Sequence, residues 1–238
     1  MRNFGGLAAL ILMASAPALQ AACKLALVLG LDVSASVDPE EYRLQADGTA
    51  AALLSGPVRQ VLLSGDPVAL AVFVWSGVKD QSLVADWVLV TSPAVLDALA
   101  LRIAAFARPQ AVSGRTATGS AMQFGQALLA RAPGCDRQVI DLATDGTFNA
   151  GPAPEAVRAT APFSDITINA LAVAGGPAPD WRDLKQAETA LEVYLTYRVI
   201  HGPGAFVERA QDYGDFRRAM GRKLEREMQG MVLGALPG

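Results

Sequence analysis

Short apolar runs alternate along the chain with longer amphipathic stretches. Lys24 to Leu31 is almost unbroken in its apolar character, as expected of a strand covered on both faces. It gives way to the polar turn Asp32-Val33-Ser34-Ala35-Ser36. A helix then begins with Asp38 placed as its cap, Pro39 at the first helical position and Glu41 at the third. Pro67 to Trp75 predicts a second strand, Trp87 to Val90 a short third, and Pro93 to Ala107 a helix. Gly114 to Gly119 reads as a loop that feeds a helix from Ser120 to Arg131. Gln138 to Ala143 is another buried strand, ending at Thr144-Asp145-Gly146. A strand over Ile166 to Ala174, a largely helical Asp180 to Tyr197, a short strand over Ala205 to Arg209 and a closing helix over Tyr213 to Met228 complete the pattern. Strands alternating with helices imply an α/β fold: a doubly wound, mostly parallel sheet with helices on both faces, Rossmann-like in its layering.

Composition narrows this to one domain. A chain of 238 residues can bury a real core once, and 52% hydrophobic against 18% charged residues excludes a disordered chain. The net charge of −3 carries no electrostatic footprint for nucleic acid. A basic cluster near the end (Arg217, Arg218, Arg222, Lys223, Arg226) alternates with Asp215, Glu225 and Glu227, so it reads as the solvated face of a helix. At the other end, Arg2, the apolar run Leu7 to Met13 and the small residues Ala14 to Ala22 have the layout of a secretory signal peptide. That run is short for spanning a bilayer. The expected organisation is therefore a signal over 1–22, a domain over 23–228 and a loose tail over 229–238, in a periplasmic or secreted protein without stable membrane insertion. Cys23 leaves lipid modification open as a second route, although Gln20 stands where such signals carry an aliphatic residue.

Candidate chemistry gathers at two predicted strand ends. In a doubly wound sheet, sites form outside the carboxyl ends of the strands, where the strand order reverses. Asp32 and Asp145 both lie at such ends. Asp32, Ser34 and Ser36 are spaced by two, so an extended stretch points them the same way. Thr116, in Gly114-Arg115-Thr116-Ala117-Thr118, can add a third hydroxyl, with Thr118 as its substitute. Donors that are all oxygen select a hard cation, Mg²⁺ or else Mn²⁺ or Ca²⁺, and no His or Cys lies nearby to favour zinc. The single His201 reads as a loop residue. Asp38 can approach the ion, yet capping explains it. Asp141, inside a buried strand, needs a partner that the sequence does not name.

Asp32-x-Ser34-x-Ser36, then Thr116 in a Gly-Arg-Thr loop, then Asp145 in Thr-Asp-Gly, together resemble the metal-ion-dependent adhesion site of von Willebrand factor A domains. The resemblance extends over Lys24 to Met228. Asp38-Pro39-Glu40-Glu41-Tyr42, Phe73-Val74-Trp75-Ser76-Gly77 and His201-Gly202-Pro203-Gly204-Ala205-Phe206 are similar to an exported bacterial subfamily of such domains (DUF1194-like). The resemblance implies a metal site of Asp32, Ser34, Ser36, Thr116 and Asp145, with Asp32 and Asp145 on adjacent central strands. It also implies adhesion-type binding of a protein partner whose acidic side chain completes the coordination, and no catalysis.

Enzymatic use of Asp32 as an aspartyl nucleophile is the alternative, weakened by Ser34 where phosphotransferases of that type carry a second Asp. A hydrolase lacks the G-x-S-x-G elbow. A structural domain acting without its metal is a third reading. If the two strands are neighbours, Cys23 and Cys135, nine and ten residues before the two aspartates, meet at the opposite end. A disulfide is then the economical reading, against free thiols or a lipidated Cys23.

Overall fold

The computed structural model describes residues 23–110, 113–174 and 190–232, with side chains as far as Met228. The expected signal peptide lies outside these residues. So does the larger part of the helix expected over Asp180 to Tyr197; its described end is helical and closes in a π-helical turn over Leu195–Val199.

Six strands form one sheet in the order β3-β2-β1-β4-β5-β6. They are β1 (Leu25–Asp32), β2 (Val68–Trp75), β3 (Gln81–Val90), β4 (Gln138–Thr144), β5 (Ile166–Val173) and β6 (Val207–Ala210). All neighbours are parallel except β2 and β3. The doubly wound sheet expected from the alternation is therefore present, with one antiparallel edge.

Every residue of β1 and β2 is buried, because helices cover both faces. Alternate residues feed two cores. Leu25, Leu27, Leu29 and Leu31 face helices α1 (Pro39–Leu53), α3 (Pro93–Ala105) and α6 (Phe216–Val232). Ala26 and Val28 face α4 (Thr118–Leu129) and the π-helical turn. Two short helices, α2 (Gly56–Leu62) and α5 (Pro154–Arg158), are additions that the pattern did not single out. Gly30, midway along β1, suits the packing: a Cβ there would lie 2.6 Å from Phe73 Cζ and 2.7 Å from Leu142 Cδ2. The side chain of Phe73 thus occupies the space that any larger residue would need.

Several expected bounds change. β3 is ten residues long rather than the four of Trp87 to Val90. As an edge strand it is less covered than β1 and β2 and keeps Gln81, Ser82 and Asp86, whose polarity hid its first half. α6 continues to Val232, four residues into the expected tail. Its apolar positions Phe216, Met220, Leu224 and Met228 are all buried, as the spacing predicts.

The reading of Lys223 and Glu227 as solvated is corrected, since both are buried, at 0% and 2% exposure. Lys223 Nζ lies 2.6 Å from Asp141 Oδ1 of β4 and 3.1 Å from Glu227 Oε1. Asn169 of β5 donates to the same Glu227 oxygen at 2.7 Å. Asp141, left without a partner by the sequence, is thus compensated from α6. The contact is an ion pair rather than a well-aligned hydrogen bond. Arg218 and Arg222 do face solvent, paired with Asp215 and Glu208.

Cys23 and Cys135 are bonded to each other, with Cα atoms 4.3 Å apart, at the amino ends of β1 and β4. Among the described residues no helix is long and apolar enough to cross a membrane.

Candidate metal centre

Parallel pairing of β1 with β4 sets Leu31 opposite Ala143, so the next residues along, Asp32 and Thr144-Asp145, emerge together at the carboxyl edge. The sheet order reverses here, with β2 on one side of β1 and β4 on the other.

Asp32 is completely buried. Its Oδ1 accepts the Ser34 backbone N–H at 2.7 Å and its Oδ2 the Thr144 hydroxyl at 2.6 Å. Beyond it, Ser34 Oγ and Ser36 Oγ are 3.2 Å apart, and Ser36 Oγ donates to Asp145 Oδ1 at 2.7 Å. Asp32, Ser34, Ser36 and Asp145 therefore form one continuous run of oxygens. Thr116, 5% exposed, reaches the same corner from the loop before α4. Its Oγ1 is 3.8 Å from where a Cβ would stand on Gly146, the residue after Asp145. The structure thus brings the five sequence-predicted residues to one edge. Thr118 instead sits in the first turn of α4, fully buried, against Tyr194. Asp38 is occupied in a capping box with Glu41. His201 is elsewhere, pairing its backbone with Ile168.

Electrostatics favour a cation at this corner. Burial pushes the Asp32 carboxyl up to about 7; the Thr144 hydroxyl opposes the rise and the Asp145 charge adds to it. Burial also raises Asp145, against hydrogen bonds from Ser36 and Tyr213 that lower it. Glu41 is raised first by burial, with the charges of Asp38, Asp145 and Glu40 adding. Burial raises the Tyr213 phenol as well, and the carboxylates around it add to the shift. A cleft of about 300 Å³ opens alongside, lined by Asp38, Glu40, Glu41, Asp212 and Tyr213 among others. No basic side chain among the described residues pairs with Asp32. A buried carboxylate without a cation is the condition that a bound metal ion relieves.

The donor set fits a hard divalent ion. It has two carboxylates and three hydroxyls, and among the described residues no group of three His, Cys, Asp or Glu gathers to hold an ion, so the hydroxyls have to supply the other donors.

A second ring of residues holds the loops. Gln45 Nε2 donates to Asp32 O at 3.0 Å, and one Arg108 nitrogen donates to Val33 O at 3.0 Å and Ser34 O at 3.3 Å. Ala35 N donates to Gly114 O at 3.3 Å. Gly114 has φ +71°, and a Cβ there would stand 3.1 Å from that of Ala35, so glycine suits both the turn and the contact. Sequence reasoning missed Gln45, Arg108, Asn149 and Tyr213. Only Thr144 carried a signal, its place beside Asp145 in Thr-Asp-Gly.

Comparison with solved structures gives the same architecture. Proximal thread matrix protein 1 from the mussel byssus, solved with a zinc-occupied MIDAS motif, superposes with TM-score 0.59 at 15% identity, over 88% of this chain and 49% of that one. The pilus adhesin SpaC of Lactobacillus rhamnosus GG gives 0.54 at 12% identity, over 87% and 31%. A von Willebrand factor type A protein from Catenulispora acidiphila gives 0.51 at 14%, over 87% and 42%. The chain spans half or less of the length of these three proteins, and at such identities the likeness is one of fold. Curated protein sequences give no match. The sequence itself matches the family described as "Protein of unknown function (DUF1194)" over residues 22–232, so this chain, with its von Willebrand factor A-like fold, belongs to the DUF1194 family.

Proposed function

We propose that the protein is an exported, non-enzymatic binding module that uses a divalent cation at Asp32, Ser34, Ser36, Thr116 and Asp145 to capture an acidic side chain of a partner protein. The observation that carries this reading is the fully buried Asp32 carboxylate at the head of a run of hydroxyls ending on Asp145. Mg²⁺ suits the donors best, with Mn²⁺ or Ca²⁺ as substitutes. When bound, the ion would offer a coordination position to an external carboxylate, because five side-chain oxygens do not fill the six positions of an octahedral ion.

The chain's own residues do the rest. Thr144 and the Ser34 amide orient Asp32. Ser36 holds Asp145 in place. Gln45 and Arg108 fix the backbone between them. The zinc-occupied MIDAS motif of the mussel protein and the adhesin fold of SpaC support the reading by analogy. Export is supported by the disulfide and by the residues that resemble a signal peptide.

The test is calorimetric titration of the mature protein with Mg²⁺ and Mn²⁺, followed by capture of partners from periplasmic extract with Mg²⁺ against chelator. Saturable binding that Asp32→Ala abolishes while the fold persists is expected. Partner capture indifferent to chelator would remove the metal from the mechanism.

A further inference from the structure

Thr116 is gripped on both of its peptide groups by a single residue. Its N–H donates to Asn149 Oδ1 at 3.0 Å, while the Asn149 N–H donates to the Thr116 carbonyl at 2.9 Å. The Asn149 side chain thus stands in for a backbone carbonyl and completes a two-bond clasp. Asn149 lies four residues beyond Asp145 in the same loop. The clasp therefore joins the loop that carries Thr116 to the loop that carries Asp145, two segments otherwise far apart in sequence.

Neighbouring contacts fix the rest of the Thr116 loop. Ser76 accepts the Ala117 N–H at 2.8 Å, and its hydroxyl donates to Arg115 O at 2.9 Å. A Cβ on Gly119 would lie 2.1 Å from Pro152 O, so the Asp145 loop presses directly on the first turn of α4. Thr116 itself is not left to these neighbours, since both of its main-chain groups end on Asn149. Asn149 is exposed and Thr116 is buried, so burial of Asn149 does not account for this arrangement.

We infer that Asn149 is a positioning residue of the proposed metal site: it sets the Thr116 hydroxyl at a fixed distance from Asp145. The inference rests on the metal reading given above. An acceptor at Oδ1 is what the geometry requires. Asn149→Ala removes it and frees the Thr116 N–H, whereas Asn149→Asp keeps it.

The experiment uses the mature chain with its disulfide intact, in wild-type, Asn149→Ala and Asn149→Asp forms. Mg²⁺ affinity is measured by calorimetry, and exchange of the Thr116 amide is measured without metal. Asn149→Ala is expected to weaken Mg²⁺ binding about tenfold or more, in the range found for residues that orient metal ligands. It should also accelerate Thr116 amide exchange by on the order of tenfold with little change in the unfolding midpoint. Asn149→Asp should restore both. A wild type that binds Mg²⁺ and an Asn149→Ala form that binds it equally well overturn the inference alone, as does a Thr116 amide that stays protected in Asn149→Ala. A wild type that binds neither Mg²⁺ nor Mn²⁺ overturns the metal reading and this inference with it.

Discussion

Replacing Lys223 by Met tests the buried ion cluster under α6. Lys223 is fully buried between Asp141 and Glu227, themselves 2% exposed, at 2.6 and 3.1 Å. Methionine has a similar volume, so packing is nearly conserved, and the Phe206 ring 4.5 Å from Nζ keeps an apolar neighbour. The charge is not conserved. Two carboxylates are left in the core with Asn169 as the polar partner of one of them.

Removing one member of a buried pair typically costs about 3–5 kcal/mol. One lysine charge is lost, so one added proton restores the net charge of the cluster, at a cost of about 4 kcal/mol at pH 7 and about 1.5 kcal/mol at pH 5. Lys223→Met should therefore lose about 3–5 kcal/mol in urea denaturation at pH 7, with a fall in Tm on the order of 10 °C, and markedly less at pH 5. A loss below about 1 kcal/mol at pH 7, or one that does not shrink in acid, would refute this account of the cluster.

Burial raises Asp141 above its ordinary value, with Lys223 lowering it and Glu227 raising it. The folded state therefore holds this proton more tightly than the unfolded chain, and the group's contribution to stability declines as pH rises from the unfolded value toward the folded one. Asp141→Asn should flatten that decline, which denaturation midpoints at pH 4.5 and 7.5 would reveal; an unchanged slope counts against it. Reducing Cys23–Cys135, which spans 112 residues of sequence, should cost about 4–5 kcal/mol in the chain-entropy account, and a Cys23→Ser, Cys135→Ser double variant should melt like the reduced wild type. Gly30→Ala should lose about 1–3 kcal/mol by overpacking against Phe73 and Leu142; a variant as stable as wild type would show that the Phe73 ring moves aside freely. Mg²⁺ should raise the Tm of wild type and leave that of Asp32→Ala unmoved, and equal shifts in both would argue for binding elsewhere.

Much of the molecule was legible because local chemistry has a local period. The apolar run of β1 and its abrupt end at Asp32 show a strand buried on both faces and the edge where it stops. Spacing by two lines up Asp32, Ser34 and Ser36, and Asp38 with Glu41 announces the start of α1. Each of these facts involves neighbours within a few residues, so the order of residues alone determines them. The pairing of β1 with β4 was reachable only through the resemblance, and once those strands are neighbours Cys23 meets Cys135.

What the tertiary structure alone decided are contacts between residues distant in sequence. Lys223 sits among basic and acidic neighbours and reads as solvated; only the approach of α6 to β4, which brings Asp141 within 2.6 Å, makes its burial affordable. Asn149 and Arg108 follow no periodicity, and their hydrogen bonds end on backbone groups 33 and 75 residues away. A backbone carbonyl or amide is present at every position, so no residue type marks which of them will be held. The donors of the proposed site could therefore be named from sequence. The groups that hold those donors in place could not, because folding selects them through geometry rather than through residue identity.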